Sequence, residues 1–216
     1  MAHHRKTSRP RDASATREAL LDAATQVFAE NGFAGARVDE IAARAGVNKA
    51  LIYAYYGDKT GIYRAVLTAH LDEFADPAFS KAVASEAGPR RALEDIVRRY
   101  FGLLIKNRSF ARLLAWDLLS NGKSGRDIIL ESAGPLLELI SDLVDRGRET
   151  GDLRAGTDPE LFRSALFSLG AGYVLQHSVM TLARERSGQL RTDGQFVENV
   201  CRMLLGPERE PERRTA

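Results

Sequence analysis

The chain has 216 residues, 44% of them hydrophobic and 28% charged, with a net charge of +2. That much apolar side chain supports a real core and excludes wholesale disorder, while no apolar run reaches the roughly 18 residues a membrane span needs. The lone cysteine, Cys201, excludes an internal disulfide, and the basic N-terminus has no apolar stretch behind it, so a cytoplasmic protein is expected.

Charge is unevenly placed. Arg5, Lys6, Arg9 and Arg11 precede any acid, which leaves the rest of the chain slightly acidic. A basic arm over residues 1–14, ahead of a folded domain, suits a polyanion. The plain alternative is a solvated tail.

The apolar residues are mostly Leu and Ala, with little strand-like alternation, so the fold class is all-α, with about nine helices. The first helix is expected over residues 16–31, with Leu20, Ala23, Ala24, Val27 and Phe28 on its buried face and Thr16 or Ser14 as cap. Gly32 sits where a left-handed residue closes a helix. A second helix spans 38–45, with Ile41, Ala42 and Ala45 inward. Gly46 turns the chain, Asn48 caps a third helix reaching Tyr56, and a fourth runs from Thr60 to Phe74.

The stretch 75–88 reads as loop or weak helix. Pro89 opens a long helix to Asn107, and Ser109 caps the next one. Residues 126–150 are helical, with a break or kink expected at Gly134-Pro135. Asp158 caps a long helix reaching about Arg186, and a last helix covers 195–205. The charged, proline-containing tail from residue 207 is expected to be mobile.

The stretch "RVDEIAARAGVNKALIYAYYGDK", residues 37–59, carries the functional signal. Two short helices joined at a glycine form a helix-turn-helix, in which the second helix enters the major groove of DNA. Ile52, with Tyr55 and Tyr56, provides the inner edge of that helix. Lys49, Ala50, Tyr53 and Ala54 are left outside, because their partner is another molecule. Lysine donates to guanine, alanine meets a thymine methyl and tyrosine reaches phosphate. Lys59, Thr16, Arg37, Arg44 and the helix start at Asn48 are further candidates at the DNA backbone.

The segment "TREALLDAATQVFAENGFAGARVDEIAARAGVNKALIYAYYGDKTGIYRAVL", residues 16–67, resembles the TetR family of bacterial transcriptional regulators. The blocks "IAARAGV" and "LIYAYYGDK" carry the likeness. It implies a two-domain, all-α homodimer on a palindromic double-stranded operator, usually a repressor released by a small-molecule effector. It also implies Lys49, Ala50 and Tyr53 as groove readers, with Tyr55 and Lys59 at phosphates. Arg37 stands where the family usually has Thr, which offers a further phosphate or groove contact, and Ala50-Leu51 stands where Gly-Thr is frequent, which removes a hydroxyl and leaves base preference open. "RRYFGLLIKNRSFARLLAWDLLSNGK" more weakly resembles a C-terminal domain subtype of the same family. The expected division is a reading head over 15–60 and a helical body for effector and dimerisation over 61–206, then a tail over 207–216.

In the body, Ser168, Gly170, Ala171 and Gly172 interrupt a helix also bearing Leu161, Phe162, Ala165, Leu166, Leu169, Tyr173 and Met180. A helical glycine costs about 1 kcal/mol against alanine, so a close contact is expected to compensate. Leu166, Leu169, Gly170 and Tyr173, with Val200 and Leu204 of the last helix, are candidates for the dimer interface; internal packing of the same residues is the alternative. Tyr100, Phe101, Phe110, Leu113, Trp116, Tyr173, Gln176 and His177 are candidates for the effector pocket, as polar groups among aromatics. Each aromatic has the ordinary alternative of a core position.

No metal site and no cofactor are expected. His177 has no second ligand at coordinating distance in sequence. Gly122-Lys123-Ser124 lacks the earlier glycine and the strand of a phosphate loop, and Asn107-Arg108-Ser109 has no secretory context. No nucleophile-elbow, paired-histidine or dinucleotide motif supports an enzyme. A pure helical scaffold leaves Lys49, Tyr53, Lys59 and the basic arm unexplained.

Overall fold

A computed structural model describes residues 10–85, 88–187 and 192–207. Arg5, Lys6 and Arg9 of the basic arm and the tail from residue 208 lie outside the described residues. Ten α-helices and no strand occur among the described residues. They are α1 Pro10–Gly35, α2 Val38–Ala45, α3 Ala50–Tyr56, α4 Lys59–Phe74, α5 Pro77–Ser85, α6 Pro89–Lys106, α7 Arg108–Leu119, α8 Arg126–Thr150, α9 Pro159–Ser187 and α10 Asp193–Leu205. No helix among the described residues is long and apolar enough to cross a membrane.

The N-terminal face is as the periodicity predicts. Leu20, Ala23, Ala24, Val27 and Phe28 of α1 are all buried, together with Ile41 and Ala42 of α2 and Ile52 of α3. α1 begins earlier than expected, with Pro10 in its first turn, so Ser14 and Thr16 lie inside the helix rather than capping it. At Gly32 the backbone turns to φ 65°, ψ 177°, a region essentially restricted to glycine, and the last turn of α1 leans away towards α2. Gly46 is left-handed at the corner between α2 and α3, as expected.

Two expectations in the body are corrected, and of the two readings of the stretch 75–88 the helical one holds. Residues Pro77–Ser85 form a helix of their own, α5, closed against the body by buried Val83. Asn107, not Ser109, caps α7: its Oδ1 accepts the Phe110 N–H at 2.9 Å. α8 runs through Pro135 without a break. The proline removes the donor that would meet the Glu131 carbonyl, but Glu131 and Pro135 are exposed, so water can replace it. Gly134 has no Cβ to oppose the proline ring, and buried Ala133, Leu136 and Ile140 hold both halves to the core.

Asp158 caps α9 as expected, accepting the Leu161 N–H at 2.7 Å. α10 starts with a reciprocal capping box between Thr192 and Gln195. One contiguous core runs from α1 to α10. Its N-terminal end is joined to the body chiefly where α7 lies along α1, and where α4 packs between α1 and α8.

Candidate nucleic-acid interface and ligand cavity

α3 is only seven residues long and is held by one fully buried side chain, Ile52. Leu51, Tyr55 and Tyr56 are half-buried beside it. The Tyr56 hydroxyl donates to the Arg17 carbonyl at 3.4 Å, which ties the end of α3 to α1. Ala50, Tyr53 and Ala54 face solvent, and Tyr53 is 51% exposed despite its large apolar ring. Asn48 Oδ1 accepts the Ala50 N–H at 2.8 Å, so the residue read as the helix cap shapes the entry to α3 from just outside it.

The candidate cations divide into two groups. Lys49 is outward and pairs with Asp39 of α2 at 2.9 Å, which holds its ammonium above the ordinary lysine value. Both partners are well exposed, and such a pair exchanges readily for an incoming phosphate or base. Arg37 is exposed at the start of α2 and forms no ion pair among the described residues.

Arg44 and Lys59 are engaged differently from the phosphate contacts expected of them. Arg44 holds both oxygens of Glu30 at 2.7 and 2.8 Å and reaches Glu40 at 3.3 Å, so it links α2 to α1. Lys59 Nζ donates to the carbonyls of Phe33 at 2.9 Å, Ala34 at 3.4 Å and Ala36 at 3.1 Å, and sits over the Phe33 ring. It closes the end of α1, where four helical carbonyls have no internal partner.

Arg17 was not among the expected residues. It is exposed, forms no ion pair among the described residues, and its guanidinium stacks over the Tyr55 ring at 4.9 Å. Thr16, beside it, is half-buried on α1. Proximity of residue 17 to α3 is a tertiary fact, and no spacing within the sequence signals it.

In the body, α4, α6, α7, α8 and α9 enclose a cavity of about 290 Å³. Leu71, Phe74, Tyr100, Leu103, Leu104, Ala111, Leu114, Ala115, Leu118, Ile129, Ala133, Leu137, Phe167, Gly170, Ala171 and Val174 line it. Of the expected pocket residues, Tyr100 alone is in this wall. Tyr173, Gln176 and His177 line a separate hollow of about 310 Å³ with Ser168, Leu169, Gly172 and Phe196. Phe101, Phe110 and Leu113 are plain core. Trp116 is 41% exposed on the opposite side of α7, where its Nε1 donates to the Ala29 carbonyl at 3.1 Å.

The expected dimer residues are also partly corrected. Leu166 and Val200 are buried in the chain's own core. Gly170 meets Tyr100 of its own chain, the close contact that its glycine was expected to require. Leu169, Tyr173 and Leu204 are half-buried within the protomer. The outer face of α9 is instead a second apolar stripe. Leu161, Ala165, Ser168, Gly172, Leu175, Val179 and Leu182 recur at alternating steps of four and three. Leu161 is 67% exposed, Leu175 57%, Val179 64% and Leu182 50%. Met203 and Leu204 of α10 flank the same surface at Leu161 and Ala165. Seven-residue spacing is the signal that would have found it.

No cluster of three or more metal-ligating side chains occurs among the described residues.

Two family models match the chain. Residues 20–66 match the N-terminal model of bacterial regulatory proteins of the tetR family, and residues 89–192 match a tetracycline repressor-like C-terminal domain. The HTH-type transcriptional regulator RutR of Escherichia coli K12 is 30% identical over 200 residues, covering 91% of this chain and 92% of that protein. The fatty acid metabolism regulator protein of Bacillus subtilis is 26% identical over 68% of this chain and 76% of its own length. Among solved structures, the fatty acid degradation regulator FadR of Bacillus halodurans superposes with a TM-score of 0.70 at 25% identity, covering 93% of this chain and 97% of that one. The B. subtilis FadR structure in complex with stearoyl-CoA, at 22% identity and a TM-score of 0.68, shares the fold over 88% of this chain and 97% of that one.

Proposed function

The chain belongs to the TetR family of bacterial transcriptional regulators, and on that premise we propose that it is a homodimeric, effector-released repressor acting on a palindromic operator. Membership makes it a DNA-binding transcriptional regulator rather than an enzyme. The observation that carries the finer reading is α3 itself. Ile52 is its one fully buried residue, while Lys49, Ala50 and Tyr53 face outward without a core to explain them. A reading head over 15–60 presents that helix, with Asn48, Arg37, Arg17, Tyr55 and Thr16 around it, and the body over 61–206 holds effector and partner.

The outer stripe of α9 supports the dimer. Its leucines and valine follow the step of a helix-to-helix seam and are half or more exposed on the protomer. Two copies would set two α3 helices on successive major grooves, about 34 to 36 Å apart. The cavity between α4 and α9 supports a small apolar effector, since its lining is apolar and, apart from Leu71 and Phe74, lies in the matched C-terminal domain. Two relatives named for fatty acid metabolism point the same way, towards an acyl compound.

Sequence selection from random duplex DNA tests this reading. A two-fold symmetric winning site with half-sites about one helical turn apart supports it. A single asymmetric site bound by one protomer, or no enrichment at low salt, overturns it.

A further inference from the structure

The effector cavity has one polar side chain among the described residues that line it, Tyr100. The ring is gripped edge-on or tilted by Phe74, Phe101 and Phe167 at centroid separations of 5.6, 5.4 and 5.3 Å. It is only 8% exposed, and its hydroxyl makes no hydrogen bond to any described residue. The hydroxyl is not sealed off: it opens on to the cavity, and a molecule that fills the cavity must either satisfy it or leave it without a partner at a cost of about 1–3 kcal/mol.

The backbone around the hydroxyl is arranged for it. A Cβ at residue 170 would overlap the Tyr100 hydroxyl. Glycine in mid-helix is unfavourable, yet α9 carries one where it lets the phenol reach the cavity wall. Phe101 at that place in α6 would have filled the space without a hydroxyl; the chain puts the phenol there and the plain ring beside it. Burial alone pushes the phenol up from its ordinary value, with no charged group contributing. It therefore stays a neutral donor and acceptor at any working pH. Among the described residues no charged side chain lines the cavity to pair with an ion, and an unpaired charge there would be strongly disfavoured.

We propose that Tyr100 is the specificity-determining residue of the cavity, and that the cavity takes apolar molecules whose buried part is uncharged and carries one oxygen acceptor at Tyr100. This deepens the effector reading above and rests on it. A hydrocarbon of the same shape leaves the phenol unsatisfied. A ligand rich in polar groups leaves its own groups unsatisfied, because the wall offers nothing else. Acyl esters and thioesters, ketones and lactones fit; free carboxylates and nucleobases inside the wall do not.

The test uses the full-length chain, octanophenone and n-octylbenzene, which differ by a carbonyl in place of a methylene. Dissociation constants are measured calorimetrically for wild type, Tyr100→Phe and Ala171→Leu, the last narrowing the cavity. Tyr100→Phe should weaken the ketone about tenfold and leave the hydrocarbon within about twofold. Ala171→Leu should weaken both. Because the hydroxyl has no internal partner, Tyr100→Phe without ligand should melt no lower than wild type.

If Tyr100→Phe leaves the ketone unchanged while Ala171→Leu still weakens both probes, the cavity reading stands and the role of Tyr100 falls. If both probes bind Ala171→Leu as they bind wild type, the cavity is not their site and the effector reading falls as well. Binding of neither probe to wild type overturns the ligand class, and a lower melting temperature for Tyr100→Phe shows that the hydroxyl is already satisfied.

Discussion

The indole of Trp116 on α7 covers Gly32 at the bend of α1: a Cβ on that glycine would lie 3.2 Å from the ring. One turn earlier, the Trp116 Nε1 donates to the Ala29 carbonyl at 3.1 Å. α7 therefore presents Ala111, Leu114, Ala115 and Leu118 to the cavity and Trp116 to the helix that carries the reading head. Gly32→Ala should destabilise the fold by about 1–3 kcal/mol, since φ 65° with ψ 177° is a glycine region and the indole must also give way. The chain has a single tryptophan, so denaturant unfolding followed by its fluorescence reports this contact directly. A variant as stable as wild type would show that the bend relaxes freely.

The pairing of Lys49 with Asp39 sets the second prediction. Asp39 places a negative charge where DNA must approach and occupies the cation expected to read a base. Asp39→Asn should tighten binding to the selected operator, while Lys49→Ala should change the preferred base at one position of each half-site. Lys59→Met separates a third role. Its ammonium closes the end of α1, so the loss should appear as a lower melting temperature as well as weaker binding. Band shifts at two salt concentrations, with melts on the same samples, check all three variants. Weaker binding by Lys59→Met at unchanged stability would return that residue to a direct phosphate role.

The limits of the helix-turn-helix were legible in the sequence because they depend on neighbours in the chain. Gly46 ends α2, Asn48 leads into α3, and the apolar residues at 41 and 45 and at 52, 55 and 56 recur at helical spacing within their own helices. Partners across the fold were not legible. Arg44 and Lys59 carry the charge that DNA contacts require, but only the arrival of Glu30 and of the carbonyls from Phe33 to Ala36 shows that both are engaged within the protein. α9 defeated the reading for another reason. It is apolar on two faces, so periodicity alone does not say which face turns inward. The face with Phe162 and Leu166 went to the core, and the face with Leu161 and Leu175 stayed outside.

Acid should loosen the junction of head and body through His70. The imidazole is half-buried between α1 and α7, tilted against Phe110 at 4.4 Å, with Thr25 and Asn107 near hydrogen-bonding range. Burial pushes it below its ordinary 6.5, and the nearby carboxylates of Glu73 and Asp22 only partly oppose this. The unfolded chain then binds the proton more readily than the folded one. Stability is fully present above pH 6.5 and is lost as pH falls through the lowered folded value. The melting temperature should fall between pH 7.5 and 5.5, and His70→Gln should fall less over the same interval. Equal falls in the two proteins would assign the acid sensitivity elsewhere.

The outer stripe of α9 makes the last prediction, because its large apolar side chains are mostly exposed on the protomer alone. Leu175 and Val179 are more than half exposed and stand one turn apart near the middle of the helix. Replacing both with glutamate removes no core contact, so the protomer should remain folded and its helix content should not change. In a dimer the same change places like charges against each other across a seam that excludes water, where charge is heavily disfavoured. Light scattering should then report a monomer for the double variant and a dimer for the wild type. Operator binding should weaken steeply, because two linked reading heads bind a two-fold site far more tightly than one. Tyr100 and the cavity lie on the inner side of the same helix, so probe binding should persist in the monomer. If the double variant remains dimeric, the seam lies elsewhere on the body. If it becomes monomeric but still binds the full operator with wild-type affinity, the paired arrangement of the two reading helices is wrong.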